Sequence, residues 1–351
     1  MKVEFLKPNI QKSDIKRMVA SLNTGWLVRG AYTQTLEREM SAFLRGDCVV
    51  TSSCTASLHM ALTLAGVKPG DEVITTPLSW VATSNVILYE GAKIVFADVD
   101  PTTGILDPNE VKKKITSKTK AVILVHLYGQ MADMKEFSKL GIPIIEDAAH
   151  ALEAERDGIK PGQLGLAACF SFHAAKNLTC GQGGAIVTRD RAKCELLIRD
   201  GVRNIEGKRV MLDFGHKYDL TDFQAALLIG QLRRVNSTHA KRLEVFKRYE
   251  DAFNGKVAFP HRSGKHACHM FVAWVDPVKR DSIRSQLESK GIQTSIHYSP
   301  IHLEPYYRSR IKVSLPVAER LGASTITLPT YALSRKEQDY VIKNVLQAVK
   351  E

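Results

Sequence analysis

One lysine, Lys176, stands between two apolar segments in the middle of the chain. The first segment ends at Ser171, glycines cluster within residues 181 to 184, and the second segment covers residues 185 to 188. This pattern predicts a strand, a loop that carries the lysine, a tight turn and a second strand. A lysine held between buried strands loses hydration, which lowers its pKa and favours a neutral, nucleophilic amine. For this residue taken alone, a solvated loop lysine is the alternative.

A carboxylate, Asp147, follows the apolar segment of residues 142 to 145. If that segment is a buried parallel strand, Asp147 lies at its carboxyl end, where open α/β sheets bind their ligands. A carboxylate in that position can pair with a positively charged ring. An aspartate that caps the next helix is the alternative. His150 follows shortly after, and a lone histidine is more often a satisfied core residue.

A candidate anion site lies at the start of an apolar helix. Residues 54 to 57 open this helix, which continues to Ala65. The first turn of a helix has N–H groups without intrahelical partners, and these groups bind anions. We therefore expect Thr55 and Ala56 to contact an anionic group. Simple N-capping by Ser53 or Thr55 is a compatible alternative.

The elements that position these residues follow a regular order. Between residues 48 and 188, apolar runs of strand length alternate with helical patterns. This alternation predicts an α/β fold with a largely parallel sheet that is covered on both faces. Helix-capping signals at Asp107, Thr221 and Ser334 agree with it. The predicted strands are residues 73–76, 94–97, 121–126, 142–145, 168–172 and 185–188.

The last third of the chain predicts a second, smaller domain of α+β type. A helix from Thr221 is followed by a charged helical stretch, residues 240–253, which we expect to link the two domains. We place a large domain at residues 1–238 and a small one at 239–351. The further elements expected are strands at 269–275 and 293–297 and helices at 281–290 and from Ser334.

Composition limits the classes of function. The chain has 351 residues, of which 44% are hydrophobic, which allows a large core. The formal charge of +12 raises the question of nucleic acid, but the basic residues are dispersed and no nucleic-acid motif appears, so we expect no such partner. No leader or membrane-spanning run is visible, which predicts a cytoplasmic protein. The six cysteines lack metal-ligand spacing and predict buried, reduced thiols and no metal site.

Five motifs follow one another in order along the chain. They are Ser-Ser-Cys-Thr-Ala-Ser-Leu-His at 52–59, Ser-Trp-Val-Ala-Thr at 79–83, Glu-Asp-Ala-Ala-His-Ala at 146–151, Ser-Phe-His-Ala-Ala-Lys-Asn at 171–177 and Gly-Gln-Gly-Gly at 181–184. With these motifs the chain resembles the sugar aminotransferases, which have the type I PLP-transferase (aspartate-aminotransferase) fold. These enzymes use pyridoxal 5'-phosphate (PLP) to aminate keto sugars carried on nucleotides. Among them it resembles the branch that makes UDP-4-amino-4-deoxy-arabinose.

The resemblance implies a role toward PLP for each candidate residue. Lys176 would form the Schiff base and, once released, carry the proton during transamination. Asp147 would pair with the pyridinium and His150 with the ring oxygen. The other implied contacts are Thr55, Ala56 and Ser171 at the phosphate, Trp80 against the ring, and Lys217 reaching the site of a partner subunit in a homodimer. The alternative for Trp80 is core packing, and the alternative for Lys217 is a solvated side chain.

The resemblance also places substrate residues in two segments. Trp26 belongs to a Gly-Trp loop that lines the active site in the family, and a tryptophan buried beside a turn is the alternative. His297, Tyr298 and His302 match a small-domain motif near the sugar, whereas a proline-rich turn is the alternative there. Gln182 replaces an acidic residue that is usual in the family. Residues 203–214 form a shorter segment than in the arabinose branch, which leaves the sugar open.

The sequence therefore predicts a PLP-dependent aminotransferase that transfers an amino group from L-glutamate to a nucleotide-linked deoxysugar for polysaccharide or glycan synthesis. A UDP-4-keto-6-deoxyhexose is preferred and a dTDP-3-keto sugar is the alternative. A sugar dehydratase of the same fold would carry histidine in place of Lys176. A PLP-dependent regulator would need a DNA-binding module, for which the residues before Gly25 are too few.

Overall fold

The structure is a computed structural model that describes residues 1–351. The strands are β1 Cys48–Thr51, β2 Glu72–Thr75, β3 Lys93–Phe96, β4 Thr119–Val125, β5 Ile144–Asp147, β6 Ala167–Ser171, β7 Gly184–Thr188, β8 Val202–Ile205, β9 Lys208–Met211, β10 Phe271–Trp274 and β11 Thr325–Leu328. The helices are α1 Lys12–Asn23, α2 Ala31–Leu44, α3 Cys54–Leu64, α4 Ala82–Tyr89, α5 Pro108–Lys114, α6 Met134–Ser138, α7 Arg191–Leu197, α8 Asp222–Arg233, α9 Val235–Phe253, α10 Arg280–Ser289, α11 Pro305–Arg308, α12 Pro316–Ser324 and α13 Arg335–Lys350.

The central sheet has the strand order β1-β7-β6-β5-β4-β2-β3. The strands from β2 to β6 pair in parallel, whereas β7 is antiparallel to both of its neighbours, β6 and β1. β1, β5 and β7 are buried at every residue, because helices cover both faces of the sheet. The predicted α/β fold with a largely parallel sheet is confirmed.

The carboxyl ends of the parallel strands bring the candidate site residues to one edge of the sheet. β5 ends at Asp147 and β6 ends at Ser171, and the register pairs Asp147 with Cys169 on the neighbouring strand. The loops that follow these strands therefore lie side by side. Lys176 is in the loop after β6, so sequence distance becomes spatial proximity at this edge.

A second hydrophobic cluster lies in the C-terminal part, where β10 and β11 form an antiparallel pair. Tyr249 and Phe253 of α9 pack there against Phe271 of β10, with ring centroids 5.1 and 5.9 Å apart. The first residue of α9, Val235, belongs instead to the main core, so α9 contributes to both clusters. The division into two domains stays a prediction. Val3 also belongs to the second cluster, so the N-terminal segment packs with the C-terminal part.

Several element boundaries differ from the prediction. α9 begins at Val235 and not at residue 240, so the predicted domain boundary after residue 238 falls inside a helix. Residues 293–297 do not form a strand, since only Ser295 exchanges hydrogen bonds with β11. At Thr221 the hydroxyl bonds to the Gln224 side chain, so no capping box forms there. The capping box predicted at Ser334 is confirmed.

The cysteines agree with a further sequence expectation. All six cysteines are free thiols, five of them buried and Cys54 half-buried. None of the helices is both long and apolar enough to cross a membrane.

Candidate active site

Lys176 lines a cavity of about 490 Å³. Its backbone N–H bonds to the His173 carbonyl, which fixes the turn after β6. Burial lowers the pKa of its ammonium from 10.5 to about 8, although the neighbouring Cys54 and Asp147 side chains raise it. The lowered pKa increases the neutral fraction of this amine near neutral pH, which suits a nucleophile that must attack a carbonyl carbon.

Asp147 is a buried carboxylate with no ion pair inside the chain. Its Oδ2 accepts a hydrogen bond from the Thr83 hydroxyl at 2.8 Å, and its Oδ1 accepts one from the Ala149 N–H at 3.2 Å. The Cys54 Sγ lies 4.0 Å from Oδ1. Burial raises the pKa of Asp147, although these hydrogen bonds and the Lys176 ammonium lower it. A buried carboxylate in this state gains most from a cationic partner.

His150 is hydrogen-bonded directly to Tyr298 and is linked to His297 through Tyr128. Its Nδ1 accepts from the Tyr128 N–H at 3.3 Å, so Nε2 carries the proton and donates to the Tyr298 hydroxyl at 3.1 Å. The Tyr128 hydroxyl in turn donates to the His297 carbonyl at 2.9 Å. Burial lowers the pKa of His150 well below its usual value, so the ring is neutral. Its expected contact with a cofactor ring oxygen stays a prediction. In this structure the Nε2 of His150 is hydrogen-bonded to Tyr298 and would have to exchange that partner for the cofactor.

His297 lines the same cavity as Lys176. Its Nδ1 lies 2.9 Å from the Thr327 hydroxyl, and its ring stacks on Phe5 with centroids 5.8 Å apart. Burial and the nearby Lys176 lower the pKa of His297 to about 4. The structure thus brings the motif at 297 and 298 to the lysine, together with the N-terminal segment.

The predicted anion site lies at the N-terminus of α3. The Ser53 hydroxyl caps the helix and accepts from the Ala56 N–H at 3.1 Å, so that N–H is already used by the protein. Cys54 and Thr55 occupy the first positions of the helix, where N–H groups lack intrahelical acceptors. A Cβ on Gly184 would lie 2.5 Å from the Cys54 nitrogen, so this glycine lets β7 pack directly against the start of the helix.

Three further predicted residues are half-buried or exposed. Ser171, at the end of β6, accepts from the His173 N–H at 3.4 Å. Trp80 and Trp26 are 65% and 59% exposed, so neither is a core residue in the single chain. Trp26 donates from its indole N–H to the Arg29 carbonyl at 2.9 Å. The core-packing alternative for both tryptophans is therefore wrong.

Lys217 and His302 do not reach the cavity of their own chain. The Lys217 side chain is 68% exposed and forms an ion pair with Asp219 at 3.0 Å. His302 is 2% exposed, and its Nε2 lies 3.1 Å from the Glu319 carboxylate. The prediction that His302 lies near the sugar is not supported by this position, because α12 and the main core enclose its ring. Sequence reasoning could not separate it from His297 within the shared motif.

Sequence reasoning also missed residues that surround the site. Thr83 was noted only as part of a motif, but it is the hydroxyl donor to Asp147. Asn177, next to Lys176, bonds to Glu153, which pairs with Arg242 of α9 at 2.5 Å. His269 borders the same cavity as Lys176. Arg242 and His269 lie far along the chain from the lysine, and no local pattern distinguishes them from core residues.

The residues present fit PLP. Its aldehyde needs an amine, its pyridine nitrogen a carboxylate and its phosphate an anion site. Lys176 supplies a desolvated amine, Asp147 an unpaired buried carboxylate, and the start of α3 the anion site. The unpaired carboxylate decides the fit, because a buried carboxylate without a cation is costly unless a bound cation compensates it.

A model of the DegT/DnrJ/EryC1/StrS aminotransferase family matches residues 8–346. The chain belongs to this family. The aminotransferase is 36% identical to the spore coat polysaccharide biosynthesis protein SpsC of Bacillus subtilis over 373 aligned positions, which cover 98% of this chain and 96% of that protein.

Solved structures agree with the family assignment. The putative sugar aminotransferase Spr1654 of Streptococcus pneumoniae, in its pyridoxamine-phosphate form, superposes with a TM-score of 0.95 at 27% identity and covers 100% of this chain and 98% of that one. Helicobacter pylori PseC, an aminotransferase involved in the biosynthesis of pseudoaminic acid, gives a TM-score of 0.94 at 27% identity with both chains fully covered.

These comparisons confirm three predictions for the aminotransferase. The type I PLP-transferase fold is confirmed by the superposition along the whole chain. Aminotransferase activity is confirmed by the family, and PLP as cofactor by the family and by relatives solved in PLP and pyridoxamine-phosphate forms. The individual roles of the site residues stay predictions.

Proposed function

We propose that this aminotransferase transfers the amino group of L-glutamate to the keto carbon of a nucleotide-linked deoxysugar, of the UDP-4-keto-6-deoxyhexose type. The observation that carries the proposal is the cavity beside Lys176. Its volume of about 490 Å³ is within the range of small-molecule sites, and its wall holds the basic side chains Lys7 and Lys241, together with Arg242, whose charge is paired with Glu153. The one carboxylate in the wall, Glu337, is bound to Ser334 as part of the α13 cap.

A cavity with this charge favours anionic substrates. Both the dicarboxylic amino donor and the diphosphate of a nucleotide sugar are anions, and a concave basic wall raises their local concentration. The Bacillus subtilis relative is named for polysaccharide biosynthesis, and the Streptococcus pneumoniae relative is described as a putative sugar aminotransferase; both support a sugar acceptor. The preference for UDP and for the 4-keto position rests on the Ser-Phe-His-Ala-Ala-Lys-Asn motif at 171–177.

When bound, PLP supplies an aldehyde that reacts with amines and a ring that withdraws electrons from the reacting carbon. Asp147 would hold the ring nitrogen in its protonated form, and Thr83 and Ala149 hold the two oxygens of that carboxylate in place. Nζ of Lys176, when free, would take the proton from the α-carbon of the amino donor and pass it to the cofactor carbon that bears the amino group.

The homodimer with shared active sites is part of the proposal. Lys217 is exposed in the single chain, and the β8–β9 hairpin next to it is exposed at nearly every residue. Met211 and Phe214 at its end are 65% and 71% exposed. Apolar side chains clustered on a protruding hairpin mark an interaction surface, and a second copy of this chain is the proposed partner. We place this dimer in the cytoplasm.

Product analysis tests the activity. The enzyme is incubated with L-glutamate and a panel of UDP- and dTDP-linked 4-keto and 3-keto sugars, and products are identified by mass spectrometry. We expect replacement of the carbonyl oxygen by an amino group on a UDP-4-keto sugar, with conversion of glutamate to 2-oxoglutarate. Amination of the dTDP-3-keto sugars alone would replace the preferred substrate by the alternative, and no amination of any sugar would contradict the proposal.

Subunit mixing tests the shared site. A dimer of one Lys176→Ala chain and one Lys217→Ala chain has one site that lacks both residues and one site that is intact. Random re-pairing gives mixed dimers in about half of the population, so about one quarter of the wild-type activity should return. Full activity of Lys217→Ala alone would show that Lys217 is not needed. Inactive parents with no recovery under verified exchange would show that it acts within its own chain.

A further inference from the structure

His269 is a buried histidine beside Lys176 that lies outside all the predicted site motifs. It is 7% exposed and follows the turn that leads into β10. It borders the large cavity and a second, much smaller one, and Lys176 borders both of them. The hydroxyl of Thr330 donates to the His269 carbonyl at 3.0 Å, which fixes the backbone at this point.

A chain of hydrogen bonds determines which nitrogen of His269 carries the proton. The Asn177 amide nitrogen donates to the Glu153 carboxylate at 3.0 Å and to the Ala267 carbonyl at 3.0 Å. Its oxygen must therefore face His269, where it lies 3.2 Å from Nδ1. Since that oxygen only accepts, Nδ1 carries the proton.

The ion pair with Arg242 makes this orientation rigid. Arg242 donates to the Glu153 carboxylate at 2.5 Å, and both side chains are more than nine-tenths buried. A flipped Asn177 amide would place its oxygen against that carboxylate, which is electrostatically unfavourable. In a neutral His269 ring, Nε2 is consequently an acceptor with an unshared electron pair.

This acceptor and the amine of Lys176 complement each other. Nε2 of His269 is buried and has no hydrogen-bond partner in the chain. The Lys176 ammonium likewise has charged neighbours but no side-chain hydrogen bond. The smaller cavity that both residues border has a volume of only about 10 Å³, which is too small for a substrate. A buried acceptor without a donor is costly, and Nζ of Lys176 is a donor that borders the same small cavity.

We propose that His269 is a positioning residue whose Nε2 accepts a hydrogen bond from Nζ of Lys176 in the pyridoxamine-phosphate form; in the cofactor-free chain the two atoms are both unpartnered and a rotation of the Lys176 side chain would bring them together. His269 thereby holds the amine beside the reacting carbon between its release and its return. The relay from Arg242 through Glu153 and Asn177 keeps His269 in the accepting tautomer. The inference rests on the proposed role of Lys176, but its test requires no sugar and no turnover.

Charged or titratable groups other than His269 also influence the pKa of Lys176, and the test must be interpreted with them in mind. Asp147 and Cys54 raise its pKa, and its charge in turn acts on His150 and His297. The other two rings already use nitrogens within the chain, His150 through both and His297 through Nδ1 to Thr327. Burial, with the charge of Lys176, lowers the pKa of His269 well below its usual value, so this ring stays neutral across the neutral pH range.

The first measurement is the tautomer. Full-length protein with 15N-labelled histidine is loaded with pyridoxamine 5'-phosphate, which leaves Lys176 free, and His269 is assigned from the spectrum of His269→Gln. We expect a protonated Nδ1, an unprotonated Nε2, and a shift of the Nε2 resonance when PLP occupies Lys176 instead. A protonated Nε2, or an Nε2 resonance that is the same in the two forms, overturns the proposal. The exposed His261 serves as the internal reference.

The second measurement is the titration of Lys176. Trace acetylation across a pH series, followed by peptide mass spectrometry, gives the midpoint at which Lys176 becomes reactive in the pyridoxamine-phosphate form. His269→Phe removes the acceptor, so the ammonium loses stabilisation and the midpoint should fall by about one pH unit, or about tenfold in the proton equilibrium. His269→Gln, which can offer an amide oxygen, should restore most of the difference, and His261→Phe should change nothing. An unchanged midpoint in a folded His269→Phe protein refutes the proposal. If that variant does not fold, the tautomer measurement on the wild-type protein decides the question instead.

Discussion

Replacement of Lys176 by methionine removes a buried ammonium without a large change in side-chain volume. In the cofactor-free chain, burial lowers the pKa of this ammonium from 10.5 to about 8. This is a decrease of about 2.5 units at about 1.36 kcal/mol per unit, so the protonated lysine costs the folded state on the order of 3 kcal/mol. We expect Lys176→Met to stabilise the cofactor-free protein at pH 7 by up to about that amount.

The pH dependence has a definite sign. Because the folded pKa is lower than the unfolded one, the folded state binds this proton less tightly than the unfolded chain does. The cost is therefore complete below pH 8 and disappears as the pH rises through about 10.5. Asp147 loses a neighbouring positive charge in the variant, which raises the pKa of this buried carboxyl further and offsets part of the gain in stability.

Thermal unfolding of the cofactor-free proteins measures the effect. With an unfolding entropy of about 2.1 cal/mol/K per residue over 351 residues, 3 kcal/mol corresponds to a rise in Tm of about 4 °C. The rise should be present at pH 7 and should shrink toward about pH 10. Lys118→Met, at an exposed lysine, is the control and should show no such pH dependence. A variant that is less stable than the wild type at pH 7 would refute the burial of this ammonium.

Three further changes test the cofactor site. Asp147→Asn should keep much of the PLP but lower the rate of transamination by roughly a hundredfold or more, because a neutral amide does not hold the pyridinium. A near-normal rate in single-turnover assays would show that Asp147 only caps the following segment. Thr83→Val removes the hydroxyl donor to Asp147, so we expect roughly a tenfold loss of turnover, with PLP affinity, from fluorescence titration, changed less. Gly184→Ala places a methyl group against Ser53 and Cys54, so PLP affinity should fall at least about tenfold through the displaced start of α3; unchanged affinity would show that the phosphate binds elsewhere.

The parts of this fold that depend on local patterns could be predicted from the sequence. The runs before Asp147 and around Ser171 are apolar at nearly every position, which is typical of strands buried on both faces, and the structure has strands there. The capping box at Ser334 is likewise a local signal, since all its atoms come from one turn.

The parts that depend on tertiary contacts could not be predicted. Residues 293–297 alternate in a manner typical of a strand, but β11 offers hydrogen bonds to Ser295 alone. His297 and His302 belong to one motif, yet one lines the cavity and the other is enclosed by the core. The relay to His269 joins four distant segments of the chain, and no spacing rule connects them.

Borohydride reduction of the PLP-loaded enzyme, followed by peptide mapping, tests the central claim most directly. The account predicts one pyridoxyl adduct, located on Lys176, and loss of the adduct in Lys176→Met. An adduct on another lysine of the cavity, such as Lys241 or Lys7, would contradict the assignment of the reacting amine and with it the proposed geometry of transamination.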